Sequence, residues 1–308
     1  GGVVSMVTDI LFLLQHSPLL AMAVFAVLGL CVGSFLNVVI YRTPLMMEQQ
    51  FLSEARFGLK DELQPHLKAQ YEANDYLPIE KFTLSRPASR CPKCGHHIRW
   101  YENIPVISWL MLRGRCSDCH NPISPRYPFV EIITAILSVL VITKFGVTFE
   151  GFAALILTWM LIALTGIDFD TQLLPDRFTL PLAALGLAVN STAWGFISPV
   201  ASIWGYIIGF LCLWVVYKLF LLVTGKHGMG YGDFKLLGAL GAWFGVLMLP
   251  FIILASAVMG AVIGGILMRR AGGESKPFAF GPFIAIAGMV ALLYGNEIMQ
   301  WYLGNSGL

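Results

Sequence analysis

Eight stretches of near-continuous apolar sequence, most of them about 20 residues long, restrict what this chain can fold into more than any other feature. In hydrocarbon every backbone N–H and C=O must be satisfied within the protein, which leaves helices and closed barrels as spanning structures. A run of about 20 apolar residues as a helix matches a hydrocarbon core about 30 Å thick. The runs lie near residues 19–41, 128–145, 151–167, 178–196, 201–223, 236–249, 251–268 and 278–302. The predicted fold class is therefore an all-α polytopic membrane protein with about eight transmembrane helices. Only 12% of residues are charged, against about 25% in ordinary soluble domains. The sixth run is short and Gly-rich ("LLGALGAWFG"), and a tilted, broken or partly re-entrant helix is expected there. The first run has no small-residue cleavage site with a polar flank and reads as a retained span; Gly1-Gly2 reads as an expression scar.

Alternation of eight spans puts residues 42–127 on one side, with the connections 168–177, 224–235 and 269–277. Nineteen of the twenty Lys and Arg fall on that side or at helix ends facing it, and only Lys144 falls opposite. Cytoplasmic loops carry the excess of Lys and Arg, so that side is predicted to be the cytoplasm, with both termini periplasmic. The short connections flanked by Arg42, Arg177, Lys226, Lys235, Arg269 and Arg270 carry this orientation.

Residues 42–127 contain Cys91-Pro-Lys-Cys94 and Cys116-Ser-Asp-Cys119, two C-x-x-C knuckles with 21 residues between them. Four thiolates so spaced can close a tetrahedral zinc site, and with all four positions taken by Cys the ion is structural. Two disulfides are the alternative, disfavoured where thiols stay reduced. His96, His97 and His120 read as neighbours of such a site and not as ligands, and Cys31 and Cys212 as buried packing residues inside apolar spans. Leu45 to Phe82 reads as one or two amphipathic helices packed on the metal module or lying on the membrane.

Two carboxylates stand where charge is costly. Asp168 follows the third apolar run directly, and Asp233 ends Gly230-Tyr231-Gly232-Asp233 just before the sixth, on the same side. An acid at membrane depth costs about 2.5–3.5 kcal/mol to insert, and such residues usually mark function. Asp176, after Pro175, reads as a helix N-cap and Asp170 as a solvent-facing acid. Gly230 and Gly232 would let the backbone unwind so that a substrate strand approaches beside Asp233; the plainer reading is a loop with Asp233 capping the next helix. Two carboxyls within reach share one proton, the ionised member taking a proton from water while the other polarises a carbonyl. No Ser/His pair or H-E-x-x-H offers another hydrolytic mechanism.

With "GSFLNVVIYR", "SRCPKCGHHIRWYENIPVISWLMLRGRC", "SPRYPFVE", "IDFDTQLLPD" and "GMGYGDFKLLGALGAW" in this order, the chain resembles the bacterial type IV prepilin peptidases with N-methyltransferase activity, GxGD-type aspartyl membrane proteases, over nearly its whole length. The resemblance implies a catalytic pair at Asp168 and Asp233 and zinc ligands at Cys91, Cys94, Cys116 and Cys119 in the inner membrane. It also implies cleavage of a basic leader from prepilins and type II secretion pseudopilins, after Gly and before a residue that is often Phe. N-methylation of the new amine with S-adenosylmethionine would follow. The methyl donor rests on the resemblance alone, since no G-x-G-x-x-G follows a strand. Its expected seat is the cytoplasmic module, with Asn37, Arg42 and Glu131 at adjoining helix ends as candidate contacts or, equally, as anchors. Residues 1–41, 42–127 and 128–308 form the expected N-terminal segment, zinc module and peptidase domain. Prepilins and lipid are the expected partners, and nucleic acid is not among them. A peptidase without methyltransferase activity, a transporter using intramembrane acids, and a zinc-organised pilus scaffold are the alternatives. Acids at one face and no internal repeat weigh against a transporter.

Overall fold

The computed structural model describes residues 2–62, 83–225, 229–270 and 279–306, and among these it is helical apart from short turns and two isolated β-bridges. Ten helices follow one another: α1 (Gly2–His16), α2 (Pro18–Glu62), α3 (Ile107–Met111), α4 (Arg126–Phe145), α5 (Phe149–Thr171), α6 (Asp176–Asn190), α7 (Pro199–Thr224), α8 (Tyr231–Phe244), α9 (Leu249–Arg270) and α10 (Gly281–Ser306). The eight expected spans correspond to α2 and α4–α10. Among the described residues six helices, α2, α4, α5, α7, α9 and α10, are long and apolar enough to cross a membrane. The other two are short. α6 has 15 residues and α8 has 14, or about 22 and 21 Å at 1.5 Å per residue, below the thickness of the hydrocarbon core.

The shortness of α8 is explained by where it sits. Every residue from Leu236 to Trp243 is buried, together with Asp233 and Phe234. A helix apolar on all sides belongs inside the protein, and α8 packs against α6, α7, α9 and α10. Glycines allow that enclosure. A Cβ on Gly205 of α7 would lie 1.9 Å from the Gly241 carbonyl oxygen of α8, so the two backbones touch. Such small-residue seams replace the missing hydrophobic drive between helices in lipid. The same device joins α2 to α4: Cβ atoms on Gly29 and Gly33 would lie 2.6 Å from Ala135 Cα and 2.7 Å from Glu131 Cα.

Two expectations are corrected at the N-terminal end. The helix begun at Pro18 does not stop near 41 but runs unbroken through Pro44 to Glu62, taking up the first part of the stretch read as separate amphipathic helices; residues 63–82 of that stretch lie outside the described residues. A further apolar helix, α1, precedes it and packs on α2, with the Gln15 amide donating to the Val147 carbonyl at 3.0 Å.

Candidate functional site

α5 delivers Asp168 in its last turn. The helix ends at Gln172, which takes the left-handed conformation (φ 56°) and returns its N–H to the Asp168 carbonyl at 2.8 Å. Leu174-Pro175 then turns the chain into α6. α8 delivers Asp233 in its first turn, where the Asp233 N–H reaches the Gly230 carbonyl at 3.3 Å. Asp168 is 4% and Asp233 7% exposed. They come from separate helices and lie within electrostatic reach of each other. Among the described residues, Asp168 Oδ2 is buried with no hydrogen-bond partner of good geometry, its close neighbour being Gly281 at the head of α10. A buried polar atom left unsatisfied costs about 1–3 kcal/mol, so its retention points to a use outside folding.

The neighbouring acids are otherwise engaged. Asp170 pairs with Arg126 at 2.6 Å, and Arg126 also donates to the Gly166 carbonyl at 3.3 Å, fixing the start of α4 against the end of α5. Asp176 is the first residue of α6 behind a Pro175 cap, not the cap itself, and pairs with Lys235 of α8 at 2.6 Å. These two bridges bring the ends of α4, α5, α6 and α8 to one level, which is what the alternation of spans requires of Asp168 and Asp233.

The glycines before Asp233 work differently from the expectation. α8 begins at Tyr231 with Gly230 as its cap, so Gly232 is already helical and does not sit in unwound backbone. Its missing side chain admits Leu174: a Cβ on Gly232 would lie 2.6 Å from Leu174 Cβ. Among the described residues Gly230 is open, its nearest neighbour, Asp233 Oδ2, lying 3.9 Å from where a Cβ would stand. Sequence reasoning missed one residue. Gly281 opens α10, and a Cβ there would lie 2.6 Å from Asp168 Oδ2 and 2.9 Å from Leu174 Cδ1. The available signal was Gly281-Pro282 at the head of an apolar run, a close-approach residue followed by a helix-starting proline.

The second constellation lies between α2 and α4. The ligand atoms of Cys91, Cys94, Cys116 and Cys119 all fall within 4.8 Å of one another, with Sγ separations of 3.8 Å for Cys91–Cys119 and 3.9 Å for Cys94–Cys116. A tetrahedron with Zn–S arms of about 2.3 Å has edges of about 3.8 Å, so the donor set fits a metal ion such as zinc. The six cysteines are unpaired by disulfide, and Cys31 of α2 and Cys212 of α7, expected to be buried, are exposed on the outward faces of their helices. Two copies of one local fold build the cluster: Cys91 and Cys116 each donate their N–H, to His96 and Asn121 carbonyls, both at 2.9 Å. Bridges Arg90–His97 and Arg115–Pro122 flank them. Hydrogen bonds from the Cys94 and Lys93 amides pull the Cys91 thiol down to about 6, while, against a bond from the His96 amide, burial and the neighbouring thiols push Cys94 up to about 12.

His96, Ser117 and Glu102 meet beside the cluster, a grouping the sequence did not disclose. His96 Nε2 lies 3.2 Å from Glu102 Oε2 and 3.2 Å from Ser117 Oγ. Both partners address the same ring nitrogen, so the acid cannot orient the imidazole from its far side as a hydrolytic triad requires. Ser117 first, then the Arg99 amide, hold the Glu102 carboxyl down at about 2. Arg42 and Glu131 tie this module to the helices, while Asn37 joins α2 to α4. Asn37 donates to the Tyr127 carbonyl at 3.0 Å. Arg42 donates to the Thr83 and Pro87 carbonyls at 2.9 and 2.6 Å. Glu131 accepts the Val106 N–H at 2.7 Å, with Val106 held at φ 60°.

Fold and site together define a multi-pass helical membrane protein with a buried carboxyl pair at one end of its bundle and, on the same side, a module whose four cysteines could hold a metal ion. The profile of the bacterial peptidase A24 N-terminal domain matches residues 27–145, and that of the type IV leader peptidase family matches residues 155–265. The chain is 50% identical over 291 residues to a prepilin leader peptidase/N-methyltransferase of Stutzerimonas stutzeri, covering 94% of this chain and 96% of the relative. It is 48% identical over 297 residues to the one of Pseudomonas aeruginosa (96% and 98% covered). With that of Dichelobacter nodosus it shares 49% over 278 residues (89% and 92%). No solved structure matches. The chain belongs to the type IV leader peptidase family, a family of aspartic proteases.

Proposed function

We propose that this protein cleaves the basic leader from type IV prepilins and type II secretion pseudopilins and then methylates the new N-terminal amine. Two buried carboxyls on different helices, one with an oxygen that has no partner among the described residues, carry the peptidase half of this reading. Asp168 and Asp233 act as an aspartyl dyad holding one proton between them. The ionised member accepts a proton from water, and the hydroxide so formed attacks the scissile carbonyl. The protonated member donates to the carbonyl oxygen, and collapse of the tetrahedral species passes a proton to the leaving amine. Gly230, open beside Asp233, is where substrate main chain approaches; Gly232 serves by admitting Leu174. The bundle end bearing the dyad faces the cytoplasm of the inner membrane, and both termini are periplasmic. Concentration of Lys and Arg on that side supports this, as does the chemistry: a basic leader stays cytoplasmic, so the cut falls where the substrate's apolar helix enters the membrane.

The four cysteines hold structural zinc, supported by Sγ separations that match a tetrahedral site. Methylation takes its methyl group from S-adenosylmethionine, and the module between Arg42 and Glu131 is its seat. The relatives' names support the activity. Asn37, Arg42 and Glu131 are better read as anchors than as donor contacts, because Arg42 and Glu131 are hydrogen-bonded to the main chain of the module and Asn37 to that of α4. The boundaries of the three regions follow the sequence reading, at residues 1–41, 42–127 and 128–308. Incubation of the purified protein in lipid with a prepilin and S-adenosylmethionine, read by mass spectrometry, tests the whole. A shortened product carrying one added methyl group is expected; an intact prepilin would overturn the peptidase reading, and a shortened but unmethylated product the second half.

A further inference from the structure

The module between α2 and α4 presents an apolar edge to its surroundings. On α3, Ile107, Leu110 and Met111 fall at i, i+3 and i+4 and share one face. All three are exposed, Met111 at 79%. Trp109 points the other way: it packs over Gly114 and donates its indole N–H to the Ile123 carbonyl. Just upstream, Trp100 is 82% exposed. Apolar side chains this exposed on so small a unit are unusual in water and mark a contact surface.

Depth decides what that contact is. Arg126, the first residue of α4, pairs with Asp170 and donates to the Gly166 carbonyl, so the start of α4 is level with the end of α5. Glu131 is five residues further along α4, about 7.5 Å deeper. The Val106 amide immediately before α3 is bonded to the Glu131 carboxylate at 2.7 Å. α3 is thus drawn below the rim of the bundle, to the level at which membrane-spanning helices pass from water into lipid. Its surroundings are basic: residues 83–125 carry six Lys and Arg against two Asp and Glu. Exposed apolar side chains with a Trp, flanked by cations and held at a helix-bundle rim, form the pattern of a segment lying in a membrane interface.

We propose that residues 98–113 are an interfacial anchor, in which Ile107, Leu110, Met111 and Trp100 enter the headgroup–acyl boundary of the surrounding bilayer while Arg99 and Arg113 meet anionic lipid headgroups. The anchor holds the metal module down on the membrane at the level where α5 and α8 present Asp168 and Asp233. It does not depend on which reaction those carboxyls perform.

An environment-sensitive fluorescent amino acid placed at Leu110 or Met111 tests this, with Asp118, an exposed polar position of the second knuckle, as the control. The full-length protein carrying its metal is reconstituted in phosphatidylcholine/phosphatidylglycerol vesicles containing a lipid with a nitroxide high on its acyl chain. Quenching at position 110 or 111 at least about twofold stronger than at 118 is expected for side chains inserted at the boundary, and it should weaken when the anionic lipid is omitted. Equal quenching at 110 and 118 overturns the proposal. So does protection of the probe that comes only on adding prepilin, which would make this edge a substrate surface. Protection found only at high protein-to-lipid ratio, the mark of a second copy, likewise overturns it.

Discussion

Gly281→Ala is a single-methyl perturbation aimed at the carboxyl pair from a helix that contributes neither acid. An added Cβ would stand 2.6 Å from Asp168 Oδ2, against the 3.4 Å at which ordinary contact begins. Either Asp168 or the head of α10 must give way by about 0.8 Å, and Leu174, 2.9 Å from the same Cβ, blocks one direction of relief. Misplacing a reacting group by about 1 Å costs up to about 10²-fold in rate, close to 2.7 kcal/mol of barrier. The expected result is a 10- to 100-fold fall in kcat/KM for prepilin processing, with the fall in kcat and little change in thermal midpoint. Gly265→Ala is the matched control, because no described residue lies within 4 Å of a Cβ there. Parental turnover by Gly281→Ala, with Gly265→Ala also unaffected, would refute the idea that α10 closes over the working carboxylate.

Two further predictions concern the metal module. Cys94→Ser removes one of four thiolates from a closed site, so metal analysis of the purified variant should show bound zinc falling from one per chain toward none; stoichiometric zinc would refute the assignment. Glu102→Gln removes a carboxylate held at about 2, below its ordinary value of 4.5. A depressed carboxyl contributes stability that is fully present above about 4.5 and lost as pH falls toward about 2. At neutral pH the variant should therefore show a lower thermal midpoint than the parent, and the difference should shrink with acidification through that window; equal midpoints at neutral pH would contradict it.

Much of this arrangement was legible in the chain, for reasons that differ between elements. Long apolar runs announce helices because lipid leaves the backbone no other partner, and all eight runs became helices. Cys91, Cys94, Cys116 and Cys119 were legible because metal chemistry dictates both residue type and spacing. Asp168 and Asp233 stood out by the cost of a charge beside apolar sequence. Harder to read was anything set by long-range packing. That α8 lies inside the protein depends on Gly205 meeting Gly241, a contact that no local pattern contains. The continuation of α2 through Pro44 contradicts the local rule that proline ends helices. Asp176 has the composition of a cap, but Lys235, far away in sequence, claimed its carboxylate. Gly281 belongs to the same class: its need for a bare Cα arises from Asp168, on another helix.

The rate of prepilin processing by Asp168→Asn and by Asp233→Asn, each in lipid beside the parent, bears most directly on the central claim. Each substitution is nearly isosteric and removes the ability to exchange a proton with water or substrate. If the two carboxyls act as one unit, each variant alone should lose activity by at least about 10³-fold, and the double variant should lose little more, as for residues that work together. Processing by either single variant at the parental rate would contradict the dyad.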